Sequence, residues 1–301
     1  MPVSSPSMSR RRFLAQSLAA ASAAFVPSSL FAAPAQHDPN RFALFSDTHI
    51  AGDRNLVARG TNMADNFAQA VREVLRCKPQ PAAVLVCGDC AYLKGTAEDY
   101  AVLHALIQPL RTAGIEVHMA LGNHDHRERF WKIVEEGHPR PSPVEHRHVT
   151  VLEAPAADWF LLDSLDETNK TPGVLGKTQL DWLAKALERR GDKPVLVMVH
   201  HNPDSRPKPS GLVETAELFE LLAGHPQVKA LFFGHSHRYH VARHKSFYLV
   251  NLPPVAYVFS QGAPNGWIDA RLRPDGMTLE LHAMDKRHPL DGKCTELTWT
   301  K

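Results

Sequence analysis

The stretch ALGNHDHRERF, residues 120–130, sets Asn123, His124, Asp125 and His126 directly behind an apolar run that closes at Gly122. EVHMAL, residues 116–121, reads as a buried strand, so four polar side chains stand where a chain leaving a core ordinarily needs fewer. The arrangement recurs. RFALF (41–45) is followed by Ser46, Asp47, Thr48 and His49, and AAVLVC (82–87) by Gly88 and Asp89. PVLVMV (194–199) is followed by His200 and His201, and ALFF (230–233) by Gly234, His235, Ser236 and His237. In open α/β sheets, sites form outside the carboxyl ends of strands, which lets segments remote in sequence meet. Carboxylate, amide and imidazole donors together suit hard to borderline metal ions, and a carboxylate can bridge two of them.

The rest of the pattern agrees with an α/β fold. Further strand-like runs are HVTVL (148–152), WFLLD (159–163) and FYLVNL (247–252), and helical patterns lie between several of the runs. TAEDYAVLHALIQPL opens on Thr96 with Asp99 three residues later, a carboxylate form of the capping box. TQLDWLAKALERR sets Leu180, Leu183, Ala184 and Leu187 on one helix face. GHPRPSPVEHRH (137–148) is the one long loop rich in helix and strand breakers. GWIDARLRPDGMTLELHAMD, with Pro-Asp-Gly between two alternating runs, predicts a hairpin near the C-terminus.

Composition narrows the partners. With 301 residues, 44% hydrophobic and 22% charged, the chain can bury a sizeable core. Its net charge is +2, and beyond residue 35 it carries 31 basic against 32 acidic side chains, so there is no basic footprint for nucleic acid. Eighteen histidines are the compositional oddity. The first 35 residues hold Arg10, Arg11 and Arg12, no acid, then an Ala-rich apolar stretch and small residues near Ala33 and Ala35. Such a segment reads as a cleavable export signal. SRRRFL resembles the twin-arginine type. That route implies the twin-arginine export machinery as a transient partner, a mature domain over 36–301, and a bacterial periplasmic or secreted location.

The ordered series D-x-H, GD, GNHD, HH and GHxH, over about residues 41–240, resembles the calcineurin-like metallophosphoesterase superfamily. The resemblance implies a four-layer αββα sandwich of two mixed β-sheets with flanking helices. It implies hydrolysis of a small phosphate mono- or diester by attack of a hydroxide that bridges two divalent or mixed-valence ions of Fe, Mn, Zn or Co. Carried over by motif, Asp47, His49 and His237 hold one metal, Asn123, His200 and His235 the other, and Asp89 bridges them. His124 is then the catalytic histidine and Asp125 its orienting partner, with His126, Arg127 and His201 as candidate substrate contacts. GVLGKTQLDWLAKAL together with GWIDARLRPDG looks most like the subgroup related to class III cyclic-nucleotide phosphodiesterases, which makes a cyclic-nucleotide or glycerophospho-diesterase the narrower alternative. A metal- or phosphate-binding protein without catalysis is expected to have lost a ligand or His124, and all are present.

Three points stay open in the sequence. In VHHNPD the strand end favours His200 as ligand, while the spacing to Pro203 favours His201. Cys87 and Cys90 flank Asp89 and are either a redox couple or two small packing residues. GDCAY matches the G-D-x-x-Y spacing of purple acid phosphatases, whose tyrosine ligates ferric iron, yet His49 already fills a position at the first metal; packing is the expected role of Tyr92.

Overall fold

Apolar runs without polar alternation need cover on both faces, and the computed structural model, which describes residues 37–135 and 141–299, supplies it. The expected leader, residues 1–35, lies outside the described residues. The first sheet joins β1 (His37–Phe45), β4 (Gln80–Cys87) and β5 (Glu116–Ala120) in parallel, and β12 (Gly266–Arg273), β13 (Gly276–Ala283) and β14 (Cys294–Thr298) antiparallel, in the order β14-β13-β12-β1-β4-β5. The second runs β10 (His240–His244), β11 (Phe247–Asn251), β9 (Val228–Phe233), β8 (Val195–Met198), β7 (Asp158–Leu161), β6 (Thr150–Glu153), parallel from β11 to β7. A two-residue-per-strand hairpin, β2 (Val57–Ala58) and β3 (Thr61–Asn62), stands apart from both.

Strand alternation sorts the side chains into three apolar layers. Phe42, Leu44 and Leu85 of the first sheet meet Trp159, Leu161, Met198 and Phe232 of the second between the sheets. Their neighbours Ala43, Phe45, Val84 and Val86 point the other way, onto α1 (Met63–Arg76) and α2 (Ala97–Thr112) through Phe67, Val71, Leu103 and Ile107. Phe160, Val197 and Leu231 face α4 (Lys177–Glu188) and α5 (Thr215–Ala223) through Leu183, Leu187, Leu218 and Leu222. The short α3 (Arg127–Ile133) follows the GNHD motif. The result is the expected sandwich: helices, two mixed sheets, helices.

Local predictions hold with shifts that have physical reasons. Thr96 and Asp99 form the reciprocal capping box at the start of α2. In α4 the buried face is Gln179, Leu183, Ala186 and Leu187 rather than Leu180 and Ala184, because Gln179 turns inward to bond the Asp163 backbone at both N–H and C=O. The C-terminal hairpin forms as β12 and β13. Strands β10 and β14 left no apolar signal, since only Leu297 in β14 and no residue of β10 is buried; both are sheet edges.

Candidate active site

The site lies where β1, β4 and β5 of one sheet and β8 and β9 of the other end. Beyond their last residues the backbone still pairs: Asp47 N–H donates to Gly88 O (3.1 Å), His49 N–H to Asp89 O (2.9 Å), and Gly234 N–H to His200 O (3.0 Å). Asp47, His49, Asp89, His235 and His237 all adopt positive φ, from 46° to 65°. Non-glycine residues take that conformation at a cost, and a cluster of them marks a place where function holds the backbone. The glycines of the motifs serve close approach: a Cβ on Gly122 would collide with the Asp89 carboxylate, and one on Gly234 with Ser46 and Asp47.

Ligand-type atoms converge in three groups that can hold metal, each within 4.8 Å: Asp47, His49 and His237; His49, Asp89 and His124; Asp89, His200 and His235. His49 therefore joins the first group to the second, and Asp89 the second to the third. The Asp89 carboxylate lies 3.3 Å from His200 Nε2, 3.8 Å from His49 Nε2 and 3.9 Å from His124 Nε2, and it accepts the His124 backbone N–H at 2.9 Å. Asp47 Oδ1 lies 3.4 Å from His237 Nε2 and accepts the His235 N–H at 3.0 Å, which ties the two sheets together.

Backbone carbonyls aim the rings. Nδ1 of His49 donates to Tyr92 O (3.2 Å), of His200 to Cys87 O (2.7 Å) and of His237 to Tyr257 O (2.6 Å), which fixes the tautomer and leaves each Nε2 as a lone-pair donor toward the site. His235 is turned over: its Nε2 donates to Ser210 O (3.1 Å), freeing Nδ1. Asn123 Oδ1 and His200 Nε2 are buried without a hydrogen-bond partner of good geometry. Such orphaned acceptors are costly, and a cation in front of them removes the cost, so the donor set fits metal.

Burial opposes charge throughout, and neighbours decide the outcome. Burial raises the Asp47 carboxyl, but the charge of His237 wins and brings it down to about 2. Burial lowers His200, but Asp89 outweighs it and lifts the imidazole to about 9, so a cation that takes Nε2 must displace a proton from it. For His49 and His235 burial wins over the attraction of Asp89 and Asp47, helped by neighbouring imidazoles, and brings both down to about 4, neutral and able to bind a cation.

Between His200 and His201, His200 is the one that faces Asp89. His201 is also buried, bonds Ser164 Oγ through Nδ1 (2.8 Å), and sets its ring 4.8 Å from that of His235 at a tilt of 45°. His124 is partly exposed, with 21% of its side chain open to solvent. Its expected partner needs correction. His124 Nδ1 donates to Leu93 O (2.9 Å), not to Asp125. Asp125 instead accepts the backbone N–H groups of Gly122 (2.9 Å), Cys90 (3.1 Å) and Ala91 (3.1 Å) and the Tyr100 hydroxyl (3.1 Å), clasping the loop after β4 to the loop after β5. Burial, then the nearby Asp89, pushes this carboxyl up to about 6.

His126 is half-buried and its N–H donates to Tyr100 Oη (2.7 Å). Arg127 spends its guanidinium inside the protein: Nε and Nη2 grip Asp163 at 2.7 and 3.2 Å, and Nη2 also donates to Leu165 O at 2.6 Å. Asp163 is fully buried. Removing one partner of a buried pair usually costs about 3–5 kcal/mol. Asp163 keeps the N–H groups of His148 and Leu165, so Arg127→Ala is expected to lower unfolding stability by the smaller amount of about 2 kcal/mol, read from the urea midpoint. An unchanged midpoint would show the pair to be dispensable.

Cys87 packs in the layer between the sheets and Cys90 in the helix-side layer; both are buried free thiols on opposite faces of the chain. Tyr92 packs, partly buried, on the helix-side core. The carbonyl partners Leu93, Tyr257 and Ser210 were not foreseeable, because a carbonyl bond leaves no mark on residue type.

A family model described as calcineurin-like phosphoesterase matches residues 40–239. The chain is 29% identical over 243 residues to a protein of Pseudomonas aeruginosa named 3',5'-cyclic adenosine monophosphate phosphodiesterase CpdA, covering 79% of this chain and 84% of that one. It is 27% identical over 198 residues to a probable glycerophosphodiester phosphodiesterase GpdQ of Arcobacter nitrofigilis, covering 64% and 70%. Among solved structures, a dimetal phosphatase from Danio rerio superposes with a TM-score of 0.67 at 17% identity, over 87% of this chain and 100% of that one. That likeness is one of fold.

Proposed function

The chain belongs to the calcineurin-like phosphoesterase family, and on that premise we propose that it hydrolyses phosphate mono- or diesters at a pair of metal ions, with Asp47, His49 and His237 on one, Asn123, His200 and His235 on the other, and Asp89 between them. The family identifies it as a metal-dependent phosphoester hydrolase. One observation carries the assignment of residues: imidazole nitrogens aimed by backbone carbonyls, and the bare Asn123 oxygen, belong to strand ends that meet around one buried carboxylate, Asp89.

When bound, the two cations supply an acidified water and neutralise the phosphoryl oxygens. The chain's own residues do the rest. His124, tied to Leu93 O through Nδ1, presents Nε2 3.9 Å from the Asp89 carboxylate on a partly exposed ring, where it can protonate a departing alkoxide. Asp125 fixes the two loops that carry Asp89 and His124 at their relative height. The relatives' names favour diesters, with cyclic-nucleotide and glycerophosphodiester cleavage as the narrower readings. The test is a panel of monoesters, diesters and cyclic nucleotides on metal-loaded protein; turnover that survives complete chelation would refute the reading.

Export through a twin-arginine signal over residues 1–35 is part of the same proposal, supported by Arg10, Arg11 and Arg12 ahead of the Ala-rich stretch. N-terminal sequencing of protein from fractionated cells checks it: a chain retained with Met1 in the cytoplasm would overturn it.

A further inference from the structure

Among the described residues the large hydrophobics left exposed are Val57, Leu93, Val213 and Phe259. Two of them abut the site. Leu93 is the residue whose carbonyl holds His124. Phe259 stacks on the His237 ring at 4.1 Å and 20°, yet leaves 53% of its surface to solvent. Tyr257 stacks on His49 at 5.2 Å and 19°. Over these rings hangs Arg59, its guanidinium 4.9 Å from the Phe259 centroid and 5.8 Å from that of Tyr257. Arg59 is exposed, and no ion pair or hydrogen bond of its guanidinium is found among the described residues. It sits with Gly60 at the tip of the β2–β3 hairpin, both at positive φ, the turn that a two-residue hairpin requires; Val57 lies in the same hairpin.

The wall is fixed to the metal-binding loop. Val255 N–H donates to Ser46 O (2.8 Å) and Ala256 N–H to Asp47 O (3.2 Å), while Asn66 Nδ2 bonds the carbonyls of both Val255 and Ala256 (3.0 Å each). A small hydrophilic ester would gain nothing from an exposed ring and a flat cation set beside it. A planar aromatic group would gain from both, since aromatic rings and guanidinium planes each stack on π faces. We propose that Phe259 and Arg59 form a specificity wall that binds a planar aromatic group carried by the phosphoester, packed against the open surface of the Phe259 ring and the Arg59 guanidinium. The proposal rests on the phosphoesterase reading only in taking the phosphate to be held at the metal pair.

The test is binding, so it stands apart from turnover. Affinities of adenosine 5'-monophosphate and ribose 5-phosphate for the metal-loaded protein are measured by calorimetry, and their ratio isolates the aromatic group. Wild type is expected to prefer the adenosine compound by about tenfold, within the range for one base stacked on one aromatic side chain. Phe259→Ala should bring the ratio close to one, Arg59→Ala should lower it by less, and Phe259→Trp should restore it. A wild type that binds both alike, or neither, overturns the wall. So does Phe259→Ala if it weakens both ligands equally, for then the ring only supports His237. Base-selective binding in a protein that hydrolyses no ester would refute the enzymatic reading and leave the wall intact.

Discussion

Asp89→Ala is expected to strip much of the bound metal and to lower hydrolysis by roughly 10³-fold or more, because cation stabilisation of phosphoryl charge is worth several kcal/mol and about 1.4 kcal/mol is a factor of ten. The carboxylate sits between His200, His49 and His124 and is held well below the usual carboxylate range, His200 overcoming the opposing effect of burial. It also accepts the His124 N–H, so alanine perturbs the loop that carries His124 as well as the charge. Asp89→Asn separates the two effects: it keeps an oxygen for His124 and loses the anion. Metal content by elemental analysis, alongside kcat/KM, reads both variants. Full activity in Asp89→Ala would end the two-metal assignment.

His124→Ala should cut kcat/KM for an alkyl phosphoester by on the order of 10²- to 10⁴-fold, the usual span for general acid catalysis, with a distinctly smaller loss for a nitrophenyl ester. The reason is the leaving group: a basic alkoxide needs a proton in the transition state and a stable phenolate does not. Equal losses on both substrates at unchanged metal content would make His124 an electrostatic clamp. Asp125→Asn is expected to behave differently, because the carboxylate never touches the His124 ring. It collects four donors from two loops and a tyrosine, and an amide offers one oxygen and a competing NH₂. Its loss should therefore fall alike on both leaving groups, together with lower stability. A leaving-group pattern like that of His124→Ala would restore Asp125 as the partner of the histidine.

Much of this was legible in the chain because metal chemistry needs rare side chains at strand ends. Asp47, His49, Asp89, Asn123, His200, His235 and His237 stand out by type and by position behind apolar runs, and those runs are unbroken because both sheet faces are covered. The capping box of α2 and the C-terminal hairpin followed from the same local rules. The edge strands β10 and β14 did not, since half-exposed residues carry no hydrophobic period.

Tertiary structure alone decided the rest. Whether His200 or His201 turns to Asp89 depends on which ring finds the Cys87 carbonyl and which the Ser164 hydroxyl. The loop after β5 binds Leu93 O through His124 and three backbone amides through Asp125, so two adjacent residues that looked like a pair serve separate ends. Arg127 looked free for substrate until Asp163, 36 residues on, claimed it. Cys87 and Cys90 proved to face different cores. Sequence patterning specifies which chemistry leaves each strand; the partner of each polar atom is a backbone carbonyl, amide or distant carboxylate whose position exists only once both sheets have closed on each other.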